Sequence, residues 1–515
     1  MTKSIKRNVI VSSLLAICLC VSLIAGATFA IFTSESKVNI AVTSGTVKVE
    51  ATVSELEAYS PKTISMDGTI ADGEENIADN NGTTKKFGNG GTALYDEENN
   101  KLELNKLTPG DKVTFKIIVK NLSNVKAKYR TRVICDEDTG LFDELSIEIG
   151  ETYTGRGVSQ WADLALEQMD ELACSVVLPG KATVQDTSCV ISFVVEAVQG
   201  NAETKNDTAY YSLKEFNELT EIPEGIKNVY LSIGTVSLKD GGVIIGNDDL
   251  RDKYERNSTS DDPYGISYTD KEGINLIISG GTIKDGPDVD NSVSNKISFR
   301  IPNKSTVIFK NVKIEGFFGF TGAMSDNPYG TVMPHKIAGV IFDGCTFDAL
   351  WLQNGSFGTS LITIKNSTFK KHENSVYASN TNPLWFKNIG QNGGTDIYID
   401  NCVFNTNRPV KVVEQDVSGQ TVSITDCIFN MESDADNKNA AIMFSTTSTG
   451  STLGNVVISG NKVNGGVALL AFYNPAQITM AEEAVFTVSG NTLGDGVKTS
   501  VKWGSAEEFT PGFVG

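Results

Sequence analysis

Histidine is almost missing from this sequence: His335 and His372 are the only two in 515 residues. That scarcity argues against metal centres and nucleophilic triads built on imidazole. No HExxH occurs, so zinc-peptidase chemistry has no ligands to start from. There are eight cysteines and no CxxC, which excludes a zinc ribbon or a thioredoxin-type dithiol. Positive charge is also short. The 44 Lys and Arg against 63 Asp and Glu leave a formal charge of −19, a surface that repels phosphate backbones, so no nucleic-acid partner is expected. Proline is sparse at 13 and glycine plentiful at 48. Glycine scattered among short apolar runs marks many turns, hence an all-β chain. The length calls for two or three domains.

The one long apolar run is at the start. A basic opening (Lys3, Lys6, Arg7), an apolar stretch and a small-residue end at Thr28-Phe29-Ala30 form a secretory signal over 1–30, with cleavage by a signal peptidase after Ala30. The run is longer than the usual signal core, and an uncleaved membrane anchor is the alternative. The C-terminus, Pro511-Gly512-Phe513-Val514-Gly515, carries neither an apolar tail nor a sorting motif. A secreted protein of the cell surface or matrix is expected.

Residues 31–204 read as an antiparallel β-sandwich. Leu107-Thr108-Pro109-Gly110-Asp111 makes a tight turn, since proline fixes φ and glycine accepts a positive φ. Val113, Phe115 and Ile117 then alternate with polar residues, as in a half-buried strand. The stretch 161–172, with Trp161, Leu164, Leu166 and Met169, is the one place where apolar spacing suggests a helix. Three segments carry a resemblance. They are Gly26-Ala27-Thr28-Phe29-Ala30 through Ile31-Phe32-Thr33, Asn39 and Ser44-Gly45-Thr46; the turn just described with Lys120-Asn121; and Ile191 to Gln199. Together they resemble the camelysin/TasA family of biofilm-matrix proteins over about the first 200 residues. The resemblance implies a jelly-roll-like sandwich, a dedicated signal peptidase, and self-association or fibre formation in which an N-terminal strand of one subunit completes the sheet of the next. Here Val38-Asn39-Ile40-Ala41-Val42 up to Val49 has strand propensity for that role, and pairing within its own sandwich is the other reading. The metallopeptidase activity ascribed to some relatives finds no histidine in this domain. Cys174 and Cys189 could be bridged or stay as buried thiols.

Residues 205–224 read as a linker with a capping segment, and 225–515 as a β-helix. The stretch 211–219 suggests a short amphipathic helix closing the open end. Beyond it one eight-residue pattern recurs eight times, beginning at Leu276, Val307, Val340, Ile362, Ile397, Val422, Val456 and Phe486. Positions one and three are always apolar and point inward. Position five is Gly280, Asn311, Gly344, Asn366, Asn401, Asp426, Gly460 or Gly490, the residue types that best accept a left-handed corner. Position eight is apolar again, with four successive phenylalanines from Phe347 to Phe429. Starts 22 to 35 residues apart suit coils with variable loops rather than propeller blades or leucine-rich repeats. The pattern resembles the pectate-lyase-like superfamily of right-handed parallel β-helices. Cys345, Cys402 and Cys427 share position six, as inward thiols or as a disulfide between neighbouring coils.

Two similar runs, Leu350-Trp351-Leu352-Gln353-Asn354 and Leu384-Trp385-Phe386-Lys387-Asn388, place tryptophans outward one coil apart. Trp351, Trp385, Tyr377 and Lys411 are the candidate glycan-binding residues, by ring stacking on sugars; burial under loops such as 370–383 is the alternative. The superfamily resemblance implies, for a polysaccharide lyase, a basic proton abstractor and calcium held by aspartates. Arg408, Lys411 and Asp400 are the residues here that could serve, but Lys365 lies between Asp343 and Asp400 and the arginine–proline motif is incomplete. Grouped carboxylates for a glycoside hydrolase are not evident. A structural or adhesive role without a cofactor leads, and a lyase or hydrolase, with calcium only in the lyase, is the alternative.

Overall fold

The computed structural model describes residues 34–37, 47–61, 74–76, 84–96, 101–150, 158–184, 186–202, 204, 207–237, 243–251, 254–256, 266–268, 271–284, 297–315, 337–347, 361–370, 384–387, 396–413, 420–432, 436–446 and 450–514. The chain divides into two compact units, 1–134 with 144–206 and 135–143 with 207–515. The signal segment 1–30 with Ala30, and residues 38–46, lie outside the described residues.

Twelve strands build the first antiparallel assembly: β1 (Ser34–Lys37), β2 (Val49–Pro61), β3 (Glu74–Asn76), β4 (Thr84–Lys86), β5 (Thr92–Asp96), β6 (Lys101–Asn105), β7 (Lys112–Asn121), β8 (Ala127–Asp138), β9 (Ser146–Ile149), β10 (Ala162–Leu164), β11 (Met169–Val177) and β12 (Ser188–Gln199). One sheet runs β10-β8-β12-β6-β5-β4, with β1 beside β12, and the other runs β3-β2-β7-β11-β9. The alternation read from the sequence holds along β7, where Val113, Phe115, Ile117 and Val119 are buried and the residues between them are not. Phe115 meets Phe193 of the facing sheet with ring centroids 4.8 Å apart.

The Pro-Gly-Asp turn is tied from within. Gly110 has φ 91°. The buried Asp111 carboxylate accepts from the Thr108 amide (2.8 Å), the Asn89 side chain (3.1 Å) and the Ser60 hydroxyl (2.5 Å), so one side chain pins the start of β7 to the end of β2. Over 161–172 the expected helix is absent. The segment turns after β10 and continues as β11, with Glu167 at φ 56°. Nine register pairs with β7 outweigh the local apolar spacing. Leu166 and Met169 are exposed instead of sharing a buried face.

A charged cluster crosses the middle of the larger sheet. Glu196 on β12 accepts from Arg130 Nε at 2.6 Å and Arg132 Nε at 2.9 Å, and the Arg130 guanidinium lies 4.7 Å from the Trp161 ring centroid. Burial works to raise the Glu196 pKa, but the guanidiniums of Arg132 and Arg130 outweigh it and hold it at about 2.

The second unit is a parallel β-helix. Its front sheet has ten strands, from Thr208–Ser212 and Asn228–Ser232 to Asn455–Ser459 and Phe486–Ser489. A nine-stranded sheet follows round the corner, and a five-stranded sheet closes a third side with Leu384–Lys387, Val410–Val413, Ala440–Ser445, Ala468–Tyr473 and Lys498–Lys502. Neighbours pair in parallel and in register, as Ile362 with Ile397 and Ile397 with Val422. All eight position-five residues have positive φ, between 49° and 70°. Position one is buried in every copy, and positions three and eight in all but the last. Phe347, Phe369, Phe404 and Phe429 stack at 4.5, 4.5 and 4.9 Å, each contact adding about 0.5–1.5 kcal/mol beyond area burial.

Position six has a second task. At the corner its amide faces the next rung, and a polar side chain there accepts it: Cys345 N to Ser367 Oγ, Cys402 N to Cys427 Sγ, Cys427 N to Asn461 Oδ1 and Asn461 N to Asn491 Oδ1, at 2.9–3.5 Å. Buried amides need such partners. Parallel pairing starts at Thr208–Ser212, before the first recognised repeat. The rung beginning at Val229 escapes the pattern because Ile233 stands at position five and the positive φ falls on Gly234. Helix α1 (Leu213–Glu218) directly follows the strand Thr208–Ser212, capped reciprocally by Ser212 and Glu215, with Phe216 buried against the core.

Two outcomes are expected. Glu196→Gln strands two buried guanidiniums and should cost about 3–5 kcal/mol in urea unfolding. In the unaltered protein the folded pKa is depressed, so this stabilisation is complete above the ordinary value of 4.5 and is lost as pH falls towards about 2; an acid titration followed by near-UV circular dichroism checks it. Asn401→Val places a β-branched residue at φ 49° and should destabilise the β-helix by at least about 1–2 kcal/mol, whereas Asn401→Gly should cost less.

Candidate functional site

Position two of each copy lies between two inward residues and therefore faces out from the front sheet. Reading up the rungs, it is Ile277, Ile308, Ile341, Thr363, Tyr398, Ser423, Val457 and Thr487, with Tyr230 of the preceding rung in the same column, aligned by the strand register. Most of these are half-buried, and Tyr398 is 36% exposed. On its strand, Asp396-Ile397-Tyr398-Ile399-Asp400, the side chains of Asp396, Tyr398 and Asp400 share the outer face while both isoleucines are buried. A ring with a carboxylate on either side is the arrangement that stacks on a sugar and accepts from its hydroxyls. The adjoining column runs Lys310, Asp343, Lys365, Asp400, Thr425. Lys365 Nζ lies 3.3 Å from Asp343 Oδ2, and Asp400 accepts from Thr425 Oγ1 at 2.6 Å. Asp343, Lys365 and Asp400 are legible from the sequence as residues on neighbouring coils; Tyr398 is not among the candidates read there, although its outward parity is contained in the repeat.

Of the candidates read from the sequence, Trp351 and Tyr377 lie outside the described residues. Trp385 is in register with Lys411 on the third sheet, and Lys411 with Met443. Lys411 is half-buried. Further along this outward row Met443, Ala471 and Val501 are buried, and Trp503 packs against the small cluster that holds Ala471 and Val501. Trp503 N donates to Phe472 O and Phe509 N to Ser500 O. Arg408 enters the same strand with φ 52°; its Nε donates to Asn439 Oδ1 at 3.1 Å and its guanidinium lies 5.5 Å from the Trp503 ring centroid. Arg408 and Lys411 are therefore brought close along one strand. Asp400 is not with them: it ends a front-sheet strand, and the second-sheet strand Val403–Asn405 intervenes. Among the described residues no group of three or more His, Cys, Asp or Glu is placed to hold a metal ion.

The six described cysteines are all buried free thiols. Burial pushes Cys174 and Cys345 up to about 12. The side-chain hydrogen bond with Cys402, together with burial, also raises Cys427. None is poised as a nucleophile.

No protein-family model matches the chain, and no curated protein does. Among solved structures the chain is similar to the catalytic unit of a thermostable GH87 alpha-1,3-glucanase from Streptomyces thermodiastaticus strain HF3-3, at 11% identity over 92% of this chain and 99% of that one, with a TM-score of 0.21. It is also similar to a GH87 alpha-1,3-glucanase catalytic domain in complex with nigerose, at 11% identity over 80% and 91% of the two chains, with a TM-score of 0.17. Superpositions this loose carry no argument about activity.

In a chain lacking residues 1–30, a thiol reagent at pH 8 should label none of the six cysteines until denaturant is added, and then all six. Mass spectrometry before and after unfolding reads the count; native labelling of Cys174 or Cys345 would contradict their burial.

Proposed function

We propose that this chain is an extracellular, carbohydrate-engaging scaffold whose β-helix presents its front face to glycan. The observation that carries the reading is the strand on which Asp396, Tyr398 and Asp400 stand together on the outer face. Trp385 and Lys411, whose strands pair in register, are proposed to extend the same chemistry to a second side. Export is supported by the basic and apolar opening of the sequence, and among the described residues no helix is long and apolar enough to cross a membrane. The segments that resemble camelysin/TasA proteins in sequence are the support for a matrix role of the first unit. In that unit β1 lies antiparallel to residues 194–197 of β12, the position an incoming strand from another subunit would take.

A second reading is an inverting glycoside hydrolase. Asp343 and Asp400 stand on one outer column two rungs apart, about 9–10 Å between backbones, near the upper end of the separation such enzymes use. The ion pair of Asp343 with Lys365 keeps it secondary.

Affinity electrophoresis through soluble polysaccharides separates these readings from each other and from no carbohydrate role. Retardation that Tyr398→Ala weakens by about three- to tenfold, with no new reducing ends, is expected. Release of reducing ends abolished by both Asp343→Asn and Asp400→Asn would establish the hydrolase instead, and unretarded migration on neutral and acidic polysaccharides alike would remove both.

A further inference from the structure

The sandwich of the first unit carries a cleft of about 640 Å³ that the proposed function does not use. Its origin is a bulge in β2. Ser54 pairs with Lys116 of β7 and Glu57 with Thr114, so Glu55 and Leu56 together face Phe115. Glu55 takes φ 54°, an uncommon conformation for a residue other than glycine, of the kind that accumulates where a side chain is re-aimed. The extra residue resets the parity of the strand. Glu57 then stands on the outer face beside Thr114 instead of pointing into the core.

From there one row crosses the sheet as Glu57, Thr114, Ser175 and Glu148. The neighbouring rows contribute Lys116 with Ala173 on one side and Lys112 on the other. The floor is therefore small, made of Thr114, Ser175 and Ala173. A carboxylate stands at each end of the row, about 14 Å apart across three strand spacings, and an ammonium on each long side. Lys116 Nζ is 2.9 Å from Glu55 Oε2, and the Ser175 hydroxyl donates to Glu148 Oε2 at 3.3 Å.

The lining chooses its ligand by charge and by backbone. Acids and lysines alternate, so an anion or a cation would meet repulsion from half of the groups. A sugar hydroxyl donates to carboxylates and accepts from ammoniums, and neighbouring hydroxyls match neighbouring acid and base. A peptide adding as a strand needs a free sheet edge, but β7 and β11, which form the floor, are paired on both sides. We infer that this trough is a binding site for a neutral oligosaccharide of two to three sugar residues, separate from the front face of the β-helix.

Saturation-transfer NMR on the chain without residues 1–30, with a panel of neutral glucose tetramers of differing linkage, tests this. A tetragalacturonate and a chitosan tetramer serve as charged controls. At least one neutral tetramer should receive saturation. With Tyr398→Ala in the same chain to silence the front face, the signal should vanish on adding Ala173→Trp, which fills the floor from an exposed position, with an unchanged thermal midpoint as the control for folding. Glu148→Gln should weaken binding by about two- to tenfold, the loss of one hydrogen bond, and Tyr398→Ala should leave it intact. Transfer to none of the neutral tetramers, transfer only to a charged one, or a signal that survives Ala173→Trp in a chain that also carries Tyr398→Ala overturns the assignment. Loss of the signal in Tyr398→Ala alone would assign binding to the front face and equally overturn it.

Discussion

The second unit depends on what happens at one corner. Each rung must turn its corner within two residues. The first adopts a left-handed backbone, and the second is left with an inward-facing amide that no strand partner reaches. Asparagine, aspartate and glycine satisfy the first need, and serine, cysteine and asparagine on the following rung satisfy the second. Once the corner is met in this way, the positions on either side of it fall into register. Phenylalanine then lies over phenylalanine, and the outer faces become columns of equivalent positions. The choice among corner residues follows the rung below. A side chain at Gly460 would strike the Asp426 carboxylate, and one at Gly344 would strike the Asn311 amide oxygen.

The first unit solves a different problem. Its strands are antiparallel and its core is ordinary, but Glu196 holds two guanidiniums inside a sheet. Removing charges from water is costly and is offset only when geometry is good and each group is hydrogen-bonded. The short contacts from Arg130 and Arg132 to Glu196 supply that geometry. The same sheet-pairing constraint explains why residues 161–172 form strand: a long edge on β7 needs a partner, and β11 supplies it regardless of how its apolar residues are spaced.

The repeat made most of the β-helix legible, because its signal is a coincidence of three inward positions and one corner. What stayed hidden broke that coincidence. The rung at Val229 lacks a corner residue at position five, so it falls outside the eight recognised copies, and the strand Thr208–Ser212 before it lies in the stretch that reads as linker. The bulge at Glu55 was hidden for a related reason: one inserted residue leaves no compositional mark, and only pairing with β7 reveals the changed parity. The candidate site was less legible than the fold. Tryptophan drew attention to the third sheet, while Tyr398, outward by the same parity rule, lay in a repeat copy already recognised as structural. Arg408 looked free in sequence; that Asn439 and Trp503, 31 and 95 residues away, would meet it could only come from coiling.

A last consequence comes from the columns on the front sheet. Inward residues are bound to their neighbours above and below, so a change there disturbs three rungs at once. The outer positions between them bear on solvent and make few demands on folding. Surface chemistry on this framework can therefore drift one residue at a time while the framework stays constant, and specificity can change over evolution without the fold being renegotiated.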